Sequence, residues 1–251
     1  MPGLPEELSK TLTGSQANKP VSAASLHPPI VAFSEGAMPA VDGGSSSTGA
    51  AIYGRGQVSD GVHGESYGTN MSGVAGIHNS GGNGVYGKSS NNAGFFDGNV
   101  VVNGQVTVSQ DIVFTGGDCA EQFDSMGGAV IEPGTLLVID PCGALKESQG
   151  AYDKKVVGVV AGAGHYRPAM VLDNTPSENT RVVVSLMGKA FCKVDASYGA
   201  ISVGDLLTSS PEPGHAMLAD SPERSFGTVV GKALSPWSSG KGMIPILLAL
   251  Q

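Results

Sequence analysis

Asp118, Cys119 and Glu121 form the first group of side chains whose types could do chemistry, because a cysteine thiolate is a strong nucleophile. The two carboxylates beside Cys119 disfavour its thiolate form, and no histidine lies close to it in sequence. We therefore predict a packed thiol at this point. The other two cysteines, Cys142 and Cys192, are also predicted to be buried free thiols, because the wide spacing fits neither a disulfide framework nor a zinc site.

A second group contains the residue types of a Ser-His-Asp triad within a short stretch: Asp205, Ser209, Ser210 and His215. Triads are normally assembled from distant segments on rigid elements. This stretch is instead rich in glycine and proline, which is typical of a strand followed by a β-turn. The sequence thus predicts no catalytic site, no metal and no cofactor, and we interpret the protein as a non-enzyme.

A glycine-rich repeat is the most regular feature of the chain. AIYG at 51–54 is followed by GVHG at 61–64, GVAG at 73–76, GVYG at 84–87 and the variant AGFFDG at 93–98. One apolar side chain in each repeat cannot build a core within a single chain. Three chains wound about a common axis could pool these side chains. We predict an intertwined homotrimeric β stalk at 49–115, with a core of Ile52, Val62, Val74 and Val85.

Two alternatives stay open for the repeat region. A single chain could coil into a β-solenoid. On a three-fold axis, His63 or His78 would form a ring of three that could hold a metal or an anion. However, alternation from the inward-facing Val62 turns His63 outward, so we predict an exposed histidine. Asn103-Gly104 predicts either a hairpin turn or one more corner of the stalk.

A head domain is predicted at 116–251, where glycine becomes sparser and apolar runs lengthen. Prolines, glycines and asparagines separate the runs, as expected for a β-barrel or sandwich. The last run is apolar throughout, so we expect it inside the barrel or between subunits. The predicted strands are Thr135–Asp140, Lys155–Ala161, Ala169–Leu172, Arg181–Leu186, Lys189–Val194, Gly227–Ala233 and Ile244–Leu250.

The N-terminal residues 1–48 predict an extended or disordered attachment arm, because prolines and a GGSSS run interrupt any regular element. The net charge is -8, without a cluster of Lys and Arg, which argues against nucleic-acid binding. The sequence shows neither a signal peptide nor an apolar run long enough to cross a bilayer. We therefore expect synthesis in the cytoplasm and no membrane insertion.

The repeats, continued by AGFFDGNVVVNGQVTV, resemble the shafts of phage tail-fibre and spike proteins. The strings YDKKVVGVVAGAG at 152–164, GKAFCKVDASYGAISVGDLLTSSPEPGHAM at 188–217 and GTVVGKALSPWSSGKGMIPILLALQ at 227–251 are similar to the β heads that follow such shafts, including those of phage-derived contractile injection systems. The head is more distantly similar to intramolecular chaperone domains that trimerise a fibre and then cleave themselves off.

The resemblance implies a homotrimeric fibre or spike component of a virion or extracellular particle. The arm would attach it to the particle or its baseplate, and the head could bind a surface glycan or protein receptor, with Trp237 as the candidate recognition residue. Two other hypotheses remain. One is a self-cleaving trimerisation chaperone, and the other is a bacterial surface or matrix protein unrelated to a phage-like machine.

Overall fold

The computed structural model describes residues 41, 44–45, 48, 50, 52–128 and 130–250. The chain divides into two units, Met1–Val101 and Val102–Gln251. All ten strands lie in the second unit, and the first of them begins at Asp118. The predicted arm lies outside the described residues except for Val41, Gly44, Ser45 and Thr48.

The second unit is built on one ten-stranded sheet. Its helical content is small: a short helix α1 (Pro222–Ser225) and the 3-10 segments Met126–Gly128 and Ala196–Tyr198. The strands are β1 (Asp118–Asp124), β2 (Leu136–Ile139), β3 (Leu145–Glu147), β4 (Val156–Val160), β5 (Pro168–Leu172), β6 (Arg181–Asp195), β7 (Leu206–Ser209), β8 (Ala216–Leu218), β9 (Val229–Ala233) and β10 (Lys241–Ala249).

Five of these strands close into a barrel. Strand β10 pairs with β9, β9 with β7, β7 with β8, β8 with β6, and β6 again with β10. Closure leaves no free edge along this ring, which protects it from edge-to-edge association. The larger hydrophobic cluster joins residues of the barrel to Leu136 of β2 and Val159 of β4; its other members are Cys192, Val194, Ile201, Leu207, Ala216, Val230, Ala233, Ile244, Ile246 and Leu248.

Strand β6 is shared between the barrel and a second layer. Its first residues pair with β1 and β4, and its later residues pair with β10. Gly188 lies at the change of partner with φ 110°. A Cβ there would lie 2.6 Å from the carbonyl oxygen of Gly117, the residue before β1. The close approach of this segment to β6 therefore requires glycine at position 188. The second layer buries Leu137, Leu145, Val160, Val182 and Val184.

The predicted all-β fold with a barrel is confirmed. Each predicted run of the head lies on an observed strand, although the two runs at 181–194 form a single strand. Strands β1, β3 and β8 are additions to the predicted runs. The sequence DCAEQFD of β1 looked like a hinge because polar residues dominate it. In β10, Ile244, Ile246 and Leu248 face the core, whereas Leu247 is exposed, so the last run is buried on one face only.

Candidate assembly site

Residues 52–115 have no core of their own in the single chain. Every residue in this range is exposed, including the predicted stalk residues Ile52, Val62, Val74 and Val85 with exposed fractions of 66%, 73%, 69% and 76%. One backbone hydrogen bond is formed within the range, from the Met71 N–H to the Gly68 carbonyl at 3.2 Å. Apart from the N–H groups of Ser80, Gly82 and Asn91, which donate to nearby side chains, most peptide groups and the apolar side chains of this range are therefore left without partners from the same chain.

The repeats nevertheless have a regular geometry. The second glycine of each motif lies against the first glycine of the next motif. A Cβ on Gly64, for example, would lie 2.6 Å from the Gly73 carbonyl oxygen and 2.6 Å from Cγ2 of Val74. Such approaches are closer than any real Cβ allows, which explains why glycine recurs there. Equivalent contacts join Gly54 with Gly61, Gly76 with Gly84 and Gly87 with Ala93.

We expect alanine at Gly64 and Gly76 to disrupt this arrangement, because each new methyl group would meet a backbone carbonyl that must move. Overpacking of this kind costs about 1–3 kcal/mol at each site. The measurement is the melting temperature and the oligomeric fraction of the double variant at low concentration. Gly104→Ala is the matched control, because a Cβ at Gly104 has no neighbour within 4 Å. Equal melting of both variants would contradict the glycine-pair geometry.

The exposed apolar character continues onto the start of the sheet. A groove of about 340 Å³ is lined by Phe114, Cys119, Met170 and Met187, with glycines between them. Cys119 pairs with Met187 of β6 on one side and with Met170 of β5 on the other, so these side chains share one face. Met170 and Met187 are 40% and 62% exposed. We call Met170, Cys119 and Met187 the apolar strip.

Asp118 is one of the residues that line this groove, and it is almost fully buried. Its Oδ2 atom has no hydrogen-bond partner in the described part of the chain, and the same is true of the Ser185 hydroxyl. Burial raises the pKa of Asp118, and the nearby Ser185 hydroxyl offsets part of the rise. The carboxylate form is therefore disfavoured in the folded protein.

We expect Asp118→Asn to stabilise the protein at pH 7 and to have no effect at acidic pH. Because its pKa is raised in the folded state, the Asp118 carboxyl holds its proton more tightly in the folded protein than in the unfolded chain. Its destabilising effect on the fold therefore grows as the pH rises from 3.8, the ordinary pKa of the group, through its pKa in the folded protein. Thermal melting of both proteins between pH 3 and pH 8 measures the effect. Glu178→Gln, at an exposed position, is the control. Asp118→Asn melting below the wild type at pH 7 would contradict the prediction.

The Ser210 N–H donates to the His215 carbonyl at 3.0 Å, but in the described residues the side chains of Asp205, Ser209, Ser210 and His215 form no hydrogen bond with one another. Ser209 Oγ accepts a hydrogen bond from the Asp153 N–H at 2.8 Å, and Asp205 Oδ2 accepts one from the Ser202 N–H at 2.7 Å. His215 Nδ1 lies 2.7 Å from the Pro213 carbonyl oxygen. These groups fix turns, and the predicted strand and turn are the hairpin of β7 and β8.

The cysteines only partly follow the prediction. All three are free thiols, but Cys142 is exposed and Cys119 is half-buried, so burial was wrong for the first and incomplete for the second. Cys142 lies in the turn after β2, where its N–H donates to Asp140. Cys192 is in the barrel core, and burial raises its pKa to about 12. Such a thiol stays protonated and unreactive.

His63 is exposed in the single chain, as is Val62, so its predicted outward position in a trimer stays a prediction. Its Nε2 lies 3.0 Å from Glu65 Oε1 and its Nδ1 lies 3.4 Å from Asp60 Oδ2. The two contacts raise the pKa of His63, the Glu65 contact more strongly. In residues 52–128 and 130–250, no group of three or more His, Cys, Asp and Glu side chains could hold a metal within one chain. The ring of three histidines remains a hypothesis.

Trp237 is half-buried and packs against the barrel core. Its backbone pairs with Ile201, and its indole N–H donates to the Gly240 carbonyl at 3.1 Å. Both contacts stabilise the loop before β10. Recognition of a ligand by Trp237 stays a prediction. No helix in the described part of the chain is long and apolar enough to cross a membrane.

The comparison with known proteins finds distant structural neighbours. No protein-family model matches, and no curated protein shows significant sequence similarity. The pre-mature bacteriophage phi29 gene product 12 matches 59% of this chain and 24% of its own length, at 18% identity and a TM-score of 0.44. A C-terminal fragment of gene product 12 matches 53% of this chain and 100% of itself, at 17% identity and a TM-score of 0.38.

A third neighbour is the N base of the bacteriophage phi29 head fibre gp8.5, which matches 52% of this chain and 94% of its own, at 22% identity and a TM-score of 0.28. The chain thus spans about a quarter of the pre-mature gene product 12. All three neighbours are bacteriophage phi29 proteins, and one of them is a head-fibre protein.

Proposed function

We propose that this protein is a homotrimeric fibre or spike component of a phage-like particle, and that residues 52–115 trimerise as an intertwined stalk. The single observation that carries the proposal is the complete exposure of this range combined with its regular glycine contacts. A chain that was merely unfolded would not repeat the same backbone approach at four successive places. The missing burial therefore comes from other copies of the chain.

Repetition of the motif favours identical copies over a different partner. Val62 and Val74 occupy equivalent positions, each with its Cγ2 close to the second glycine of the preceding motif. An identical chain presents the same spacing along its whole length, so three copies can place equivalent valines in the same layer. Such layers would bury apolar surface at about 25 cal/mol per Å².

The apolar strip supports trimerisation of the head as well. Met170 and Met187 are exposed at the groove beside Phe114, the last apolar residue before β1. A second copy that covers Phe114 would extend naturally onto these methionines. Methionine suits such a surface, because its flexible side chain adapts to irregular partners.

The remaining parts follow from this assembly. The arm at 1–48 attaches the trimer to a larger particle or baseplate, and the head at 116–251 caps it and contacts a surface glycan or protein receptor. The protein works by binding and assembly, without catalytic turnover, as a virion or extracellular-particle component.

Immunogold electron microscopy tests the proposed role directly. Antibodies raised against the purified full chain should label projecting fibres on phage-like particles released by the producing cells. Deletion of residues 1–48 should remove the label from the particles while the protein still accumulates. Label on cell surfaces alone would overturn the particle assignment and favour the surface or matrix hypothesis.

A further inference from the structure

A shallow cleft in the head combines aromatic and charged side chains that lie outside both the repeat region and the apolar strip. Its volume is about 290 Å³, and its lining includes Tyr152, Lys154, Glu223, Arg224 and Phe226. The loop before β4 supplies Tyr152 and Lys154, and the segment around α1 supplies the others. We propose that this cleft binds a sugar that carries a carboxylate group. The inference deepens the receptor-binding part of the proposed function, on which its biological purpose rests.

The Arg224 guanidinium lies over the Tyr152 ring, where it is accessible to an anion. Its central carbon lies 4.0 Å from the centroid of the Tyr152 ring, so the two groups are stacked. The Tyr152 hydroxyl donates to Asp220 Oδ1 at 2.5 Å and accepts from the Ser221 N–H at 3.1 Å, which fixes the ring. In the described part of the chain, the Arg224 side chain makes neither a hydrogen bond nor an ion pair. Its donors are therefore free for a carboxylate, the group that a guanidinium binds in bidentate fashion.

The backbone of Tyr152 is unusual in the same place. It has φ 58°, a left-handed conformation that few residues other than glycine adopt. Its N–H donates to the Ser209 carbonyl at 3.1 Å, and the next N–H, that of Asp153, donates to Ser209 Oγ. Two bonds to β7 thus hold the strained residue and place its ring under Arg224. Strain of this kind is found preferentially at binding sites.

The other side chains select a sugar over a simple anion. Phe226 is 86% exposed and offers a flat apolar surface, against which the C–H face of a pyranose ring can stack. Lys154 and Glu223 are exposed and form no ion pair in the described chain. Lys154 adds a second cation for the carboxylate, and Glu223 offers an acceptor for sugar hydroxyls. Together these groups match a uronic or sialic type of sugar.

Ligand-observed NMR titration of the full chain tests the proposal with three probes: glucuronic acid, glucose and inorganic phosphate. We expect saturable binding of glucuronic acid with a dissociation constant on the order of 1 mM, and binding of glucose at least about tenfold weaker. Glucose binding as tight as that of glucuronic acid, or no saturable binding of glucuronic acid, would overturn the proposal. Phosphate binding as tight as that of glucuronic acid would reduce the cleft to an anion site and overturn it as well.

Variants locate the binding. Arg224→Ala should weaken glucuronic acid binding at least about tenfold, and Phe226→Ala should weaken it for both sugars. Lys232→Ala, which removes an exposed cation from β9 outside the cleft, should leave it unchanged. Unchanged binding by Arg224→Ala would place the ligand elsewhere and overturn the proposal. The native mass of each sample separates the two proposals: a monomer that binds contradicts the stalk alone, and a trimer that does not bind contradicts the cleft alone.

Discussion

The triple variant Val62→Asp, Val74→Asp, Val85→Asp is expected to be monomeric under conditions in which the wild type is a trimer. In the trimer each of these positions contributes one side chain to a thin apolar layer. An aspartate at each position would place three carboxylates together in every layer. Burial of an unpaired charge costs several kcal/mol, and like charges at short distance add repulsion. Light scattering and chemical cross-linking measure the loss.

A matched control separates this effect from that of added charge. Ser59→Asp, Thr69→Asp and Asn83→Asp add the same three carboxylates to exposed polar positions between the motifs. This variant should remain a trimer. A stable oligomer of the valine variant, or equal dissociation of both variants, would contradict the assignment of the motif valines to the interior.

The second large effect is expected in the barrel. Leu248 is fully buried in its core, so Leu248→Ala removes packed methyl groups and leaves a cavity. Such substitutions cost about 2–5 kcal/mol. At about 2–4 °C for each kcal/mol in a chain of this size, the melting temperature should fall by several degrees or more. Differential scanning calorimetry measures the change.

Leu234→Ala is the control for this change, because the same atoms are removed from a side chain that is 38% exposed. It should lower the free energy of unfolding by about 1 kcal/mol, well below the loss expected for Leu248→Ala. Similar losses for both variants would mean that β10 does not face the barrel interior as described.

Much of the head could be predicted from its sequence, because strands with an apolar face produce recognisable runs. The hairpin of β7 and β8 follows from the prolines and glycine between two short apolar segments. Strand β1 could not be predicted, since its residues are polar and its pairing with β5 and β6 depends on distant parts of the chain. The closure of the barrel through the β6–β10 pairing is likewise a long-range event that no local pattern records.

The candidate sites also differ in how far the sequence predicts them. Exposure of the motif valines follows from their spacing, because one apolar residue in each repeat has nothing nearby to pack against. The Arg224–Tyr152 stack joins residues far apart in sequence and depends on the left-handed backbone of Tyr152. The one local indication of this cleft in the sequence is Phe226, an aromatic residue that follows a short polar segment. The exposure of Cys142 was not predicted, because the spacing of the cysteines does not distinguish a cysteine in an exposed turn from one in the core.

The native molar mass of the purified full chain, measured by light scattering after size-exclusion chromatography, tests the central claim most directly. The proposed intertwined stalk predicts a mass near three times 25.3 kDa, independent of concentration over the range in which the protein is handled. A single mass of 25.3 kDa would contradict it, because residues 52–115 would then have no partner that could bury their apolar side chains.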